Sequence, residues 1–132
     1  MGGERAVDRG LLTRWIVDGM NVIGSRPTGW WHDRPGAMQQ LVHELLALEE
    51  PVTVVFDGRP FPVQDAGDID VRFASRPGRN AADDDIADLV AGAADPGELR
   101  VVTSDRELAE RVRAHGVEVV GAKQFRDRLD HA

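Results

Sequence analysis

Val52-Thr53-Val54-Val55-Phe56 is an unbroken apolar, β-branched run, the signature of a strand covered on both faces. Strands of that kind belong to parallel sheets flanked by helices, so this run constrains the fold more than any other stretch. Trp15-Ile16-Val17 ends in Asp18 and gives a first strand over residues 14 to 18. Ile69, Val71 and Phe73 alternate with polar residues, which predicts a strand near the sheet edge. Leu99 to Thr103 and Val117 to Val120 supply two more. Helical spacing links them. Met38, Leu41, Val42, Leu45 and Leu46 form a stripe that stops before Pro51, and Asp33 or a neighbour can cap that helix with Pro35 in its first turn. Ile86, Leu89, Val90 and Ala93 form a second stripe within a helix over 81–94. Ser104 and Glu107 have capping-box spacing before Leu108 and Val112, His115-Gly116 closes that helix, and Lys123 to Leu129 forms a last short one. Strands alternating with helices predict a three-layer α/β/α sandwich on a mainly parallel sheet of about five strands.

The 132 residues fit one domain over 13–130 behind a flexible leader at 1–12. No cysteine is present, so disulfides and thiolate metal sites are excluded. The first ten residues lack the apolar core of a signal peptide and no segment is long enough to span a membrane, so the expected compartment is the cytoplasm. A net charge of -7 argues against a generally basic nucleic-acid surface, though not against an enzyme that sets cations beside a polyanion.

Three apolar strands end in an aspartate: Val17-Asp18, Phe56-Asp57 and Thr103-Ser104-Asp105. In a parallel sheet these ends share one edge, where open α/β folds keep their functional crevice. The run Asp83-Asp84-Asp85 opens the helix at 81. Taking Ile86 as the centre of the buried stripe, Asp83 lies about 60° away, Asp85 about 100° on the other side and Asp84 roughly 160°. Asp83 is therefore best placed to reach the sheet edge, with Asp84 next because it sits in the first turn. Crowded carboxylates raise one another's pKa unless a cation neutralises them. Mg²⁺ or Mn²⁺ suits all-oxygen ligands and could activate water for attack on a phosphodiester. Asn21 can offer an amide oxygen or hold a water, and Ser104 can do the latter.

Asp18-Gly19-Met20-Asn21-Val22-Ile23, Val54-Val55-Phe56-Asp57-Gly58, Ala82-Asp83-Asp84-Asp85-Ile86 and Val101-Val102-Thr103-Ser104-Asp105 resemble, in order, the motifs of the NYN domain. That domain belongs to the PIN-like ribonuclease superfamily, and the likeness is greatest to its YacP-like branch. The resemblance covers residues 13 to 129. It implies a PIN-like sandwich, a Mg²⁺/Mn²⁺ site and endonucleolytic cleavage of RNA. By motif position it implies Asp18, Asn21, Asp57, Asp83 and Asp105 as catalytic residues, with Asp84 joining Asp18, Asp83 and Asp105 as metal ligands. The sequence departs from the family pattern at Asp85, where an aromatic residue is common, and in the basic stretch before the acidic helix, reduced here to Arg72, Arg76 and Arg79.

Arginines near the proposed acids are candidates for gripping phosphate: Arg79 and Arg106 first, because they adjoin those acids, then Arg76, with Arg26, Arg34 and Arg59 in loops at the same edge and Ser104 beside them. Trp30 and Trp31 can stack on unpaired bases, although a packing role is expected for at least one. Two other classes compete: a PIN-like module that binds RNA or a protein without cutting, and a receiver-type phospho-acceptor domain built on Asp57, Thr103 and Lys123. The expected partner is RNA, without a membrane, with a homodimer or contact with RNA-processing or translation machinery left open.

Overall fold

The computed structural model describes residues 14–78 and 80–131; the leader at 1–12 and Arg79 lie outside them. Five strands, β1 (Arg14–Asp18), β2 (Val52–Phe56), β3 (Asp70–Phe73), β4 (Leu99–Val102) and β5 (Glu118–Val120), pair throughout in parallel. Their order is β3-β2-β1-β4-β5. The chain therefore builds outward from β1 to one edge, then returns to β1's other side with β4. The reversal opens a crevice at the carboxyl ends of β1 and β4.

Side-chain alternation along the strands splits the core into two layers. Trp15, Val17, Val54 and Phe56 face α1 (Gly19–Gly24), α2 (Arg34–Leu45) and α5 (Ala122–Asp130). Ile16, Val55 and Val101 face α3 (Ala81–Ala91) and α4 (Arg106–Arg113). The expected α/β/α sandwich with a five-stranded parallel sheet is the fold observed. Trp15, only 2% exposed, packs in the first layer against Phe125, with ring centroids 5.1 Å apart and planes tilted at 47°, while its indole N–H donates to Glu50 at 3.1 Å. Such a pairing lets a large aromatic be buried without stranding its polar atom.

Local signals explain most boundaries. Asp33 caps α2 through the Gly36 N–H at 3.0 Å, with Pro35 in the first turn where its missing N–H costs nothing. Two expectations shift. Leu46 leaves the buried stripe because α2 ends at Leu45 and tightens into a 3₁₀ turn over Leu46–Leu48, which leaves Leu46 exposed. Helix α3 stops at Ala91, before Gly92, rather than at 94. The link from β2 to β3 contains no helix: with Pro60 and Pro62 in it, residues 57–69 cross α2 as irregular chain. That crossing is pinned by a paired contact, in which the Gln64 N–H donates to Gln39 Oε1 at 2.9 Å and Gln39 Nε2 donates to the Gln64 carbonyl at 2.6 Å. Phe61, Val63 and Ala66 pack beneath it on the core.

Candidate active site

Asp18 is the last residue of β1 and shares its face with Ile16, so alternation turns it toward the α3/α4 layer. It is 3% exposed. Its Oδ2 accepts the Thr103 hydroxyl at 3.0 Å, and Thr103 Oγ1 in turn accepts the Asp105 backbone N–H at 3.1 Å. Because the Thr103 oxygen is occupied as an acceptor, its proton is directed to Asp18. Burial, followed by repulsion from Asp83 and Asp57, pushes Asp18 up to about 7; the Thr103 hydroxyl and the Asn21 backbone N–H pull against that rise.

Asp83, in the first turn of α3, is pushed up to about 6 by burial and then by Asp105 and Asp57, while Arg111 opposes the shift. Asp57 follows β2 and is also raised, mainly by burial, and is partly relieved by the Ala82 N–H and by Arg34. Its Oδ1 accepts that N–H at 3.3 Å, so Asp57 occupies the start of α3 that Asn80's side chain leaves uncapped. Asp105 caps α4 through the Leu108 N–H at 3.0 Å. The capping box expected from Ser104 is therefore replaced by a cap one residue later. Ser104 Oγ instead accepts the Ala122 N–H at 2.9 Å, and the Ser104 N–H donates to Asn21 Oδ1 at 2.8 Å. Asn21 thus ties the loop after β4 to the start of α1.

The three consecutive acids of α3 point to three different tasks. Asp83 joins the field of Asp18, Asp57 and Asp105. Both oxygens of Asp84 are engaged by guanidinium groups, one by Arg111 at 2.9 Å and the other by Arg76. These arginines hold its carboxyl below the usual range. Asp85 accepts the backbone N–H and the hydroxyl of Ser75 at 2.6 and 2.7 Å, anchoring the loop after β3. Arg106 opens α4, is exposed, and forms no ion pair among the described residues. Trp30 packs on the core, whereas Trp31 is 53% exposed.

Sequence reasoning missed Thr103 as the partner of Asp18, and it missed Arg111. No sequence signal marked Arg111, whose reach to α3 follows from how the two helices pack.

Among the described residues, no three acid or imidazole side chains converge tightly enough to cage one ion directly. The donor chemistry nevertheless suits a hard cation. Asp18, Asp57, Asp83 and Asp105 offer only oxygen, and two of them are costly to ionise without a positive charge nearby. Mg²⁺ usually keeps several waters and needs only one or two carboxylates.

Residues 15–132 match the model of the YacP-like NYN domain. Two solved structures of Rae1 (YacP) from Bacillus subtilis are similar in fold, one of a variant and one of the unaltered protein. Both are 21% identical over 91% of this chain. The variant gives a TM-score of 0.74 over 76% of its chain, and the unaltered protein 0.72 over 75%. No curated protein matches by sequence.

Proposed function

The chain belongs to the YacP-like NYN domain family, and from that premise we propose that it is a metal-dependent endoribonuclease, hydrolysing RNA phosphodiester bonds at the crevice between β1 and β4. One observation carries the reading: a nearly buried aspartate at the sheet's switch point shares its field with acids from β2 and α3. A structural carboxylate in that position would normally be paired with a cationic side chain. Asp18, Asp83 and Asp105 are the residues that would hold Mg²⁺ or Mn²⁺, in part through the ion's own waters, since no three of these side chains converge on one point; Asp84 is less suited, since two arginines already occupy it. When bound there, such an ion would supply Lewis acidity, lowering the pKa of a water and offsetting negative charge on the phosphate. Thr103 orients Asp18, Asn21 fixes the loop that carries Ser104 and Asp105, and Arg111 moderates the charge on Asp83.

Cleavage of a labelled RNA is expected to stop in EDTA and to return with Mg²⁺ or Mn²⁺. Undiminished cleavage in EDTA would overturn the metal assignment, and RNA binding without cleavage under any divalent ion would favour a non-cutting module. The receiver-type alternative has lost its basis, because the family is a different one and the Thr103 hydroxyl is directed to Asp18.

Thr103→Val removes a hydrogen bond that lowers the pKa of Asp18, so the acidic limb of the cleavage profile should move to higher pH. Thr103→Ser should restore it. A pH–rate series on the three proteins decides the matter; superimposable profiles would remove Thr103 from the mechanism.

No helix among the described residues is long and apolar enough to cross a membrane.

A further inference from the structure

Among the described residues, Asp84 is the acid of α3 with two cationic partners. They come from different elements. Arg111, in the second turn of α4, donates to Asp84 Oδ1 at 2.9 Å, and Arg76, in the loop after β3, takes Oδ2. Asp84 therefore ties three pieces of chain together at the start of α3. The side chains of Asp84 and Arg111 are 38% and 43% exposed, and exposed ion pairs contribute little to stability. What this one fixes is geometry.

Asp83 stands next to Asp84 in the first turn of α3, and Asp105 caps α4. Repulsion between Asp83 and Asp105 pushes the starts of the two helices apart. A hydrated cation held between them needs that gap kept at one width. The bridge crosses the same gap: Asp83, Asp84, Arg76 and Arg111 line one polar cavity of about 330 Å³ between α3 and α4. Attraction between Asp84 and Arg111 thus opposes the repulsion between Asp83 and Asp105. With both of its oxygens engaged by guanidinium groups, Asp84 is committed to the bridge.

We propose that Asp84 is a positioning residue and not a metal ligand: with Arg111 and Arg76 it forms a clasp between α3 and α4 that sets the spacing of Asp83 and Asp105 for a divalent cation. The inference rests on the metal-dependent reading of the acid cluster, and it adds what holds that cluster at one spacing. Arg111 makes the idea testable by the sign of an effect. A fixed positive charge repels a cation, so by charge alone the loss of Arg111 would tighten metal binding. Loss of the clasp loosens it instead.

The test is titration of the full, metal-free chain with Mn²⁺ alone, read by the electron paramagnetic resonance of the free ion, with no RNA present. At pH 8 Asp83, pushed up to about 6, is ionised, so protons do not compete with the metal. Arg111→Ala should weaken Mn²⁺ binding about tenfold, the scale of groups that orient a ligand. Arg111→Lys keeps a charge that reaches one oxygen and should recover part of the loss. Asp84→Asn should also weaken binding about tenfold. The double variant Asp84→Asn/Arg111→Ala should bind no more weakly than either single one, because both changes break one bridge. Thermal melts in EDTA check that each variant is folded; should Arg111→Ala fail that check, the same cycle is run with Arg111→Lys. Tighter binding without Arg111, or losses that multiply in the double variant, would overturn the clasp. A loss beyond a hundredfold in Asp84→Asn with Arg111→Ala near wild type would do so too, by marking Asp84 as a ligand. Mn²⁺ binding that is lost in Asp83→Asn but untouched in the Asp84 and Arg111 variants overturns the clasp alone. No Mn²⁺ binding by the wild type overturns it together with the metal assignment.

Discussion

Asp18→Asn is expected to abolish metal-dependent RNA cleavage and, in the same protein, to raise the stability of the metal-free fold at pH 8. Even groups that merely support a metal ligand cost about 10–100-fold in affinity or activity when removed, so the loss for a ligand should exceed a hundredfold. The gain in stability follows from burial. Asp18 in the folded chain holds its proton up to about pH 7, whereas an unfolded aspartate releases it near pH 4. Between those values the native state binds more protons, and stability falls as pH rises. Above pH 7 the full cost is present, on the order of 2–4 kcal/mol. Asparagine removes the charge and can still accept the Thr103 hydroxyl. Thermal melts in EDTA should therefore show the variant above wild type at pH 8, with the gap closing toward pH 4. Equal melting at both pH values, or a variant less stable at pH 8, would mean that Asp18 is not under electrostatic stress. Added Mg²⁺ or Mn²⁺ should stabilise wild type and have little effect on the variant.

Gly19→Ala is expected to be the most damaging small change next to the site. A Cβ on Gly19 would lie 2.4 and 2.5 Å from two ring carbons of Phe56 and 3.1 Å from a Val54 methyl. Phe56 is fully buried, with its ring 5.8 Å from that of Phe73, so it cannot swing away. Overpacking of this kind costs about 1–3 kcal/mol. The strain falls on the residue after Asp18, so activity should drop further than stability alone predicts. Urea midpoints and single-turnover rates measured together separate the two effects. A fully active variant of wild-type stability would show that α1 can back away from β2 without moving Asp18.

The frame of this site was readable because its rules are local. An apolar run that stops at an aspartate marks both a strand and its carboxyl end, and this held for Asp18 and Asp57, whereas Asp105 lies past Thr103 and Ser104 as the cap of α4. Helical phase also separated Asp83, which enters the field of the other acids, from Asp85, which turns away to Ser75. Two things could not be read. Which of two adjacent polar residues caps α4 depends on where β4 ends, and Thr103 left the strand early enough for Asp105, rather than Ser104, to take the cap. The capture of Asp84 by Arg76 and Arg111 depends on how α4 packs against α3, a distance that no spacing along the chain encodes. The helix-free crossing over 57–69 lay between these cases, since its prolines were visible and its anchor on Gln39 was not.

The strand order has a consequence for how the protein comes into being. Asp18 and the threonine that orients it are 85 positions apart, and β4 must dock on β1 before they meet. A chain leaving the ribosome N-terminus first exposes Asp18, Asp57 and Asp83 early, but without Thr103 and Asp105 it has no assembled centre. The acid cluster is thus incomplete until β4 has docked beside β1 and brought Thr103 and Asp105 to it.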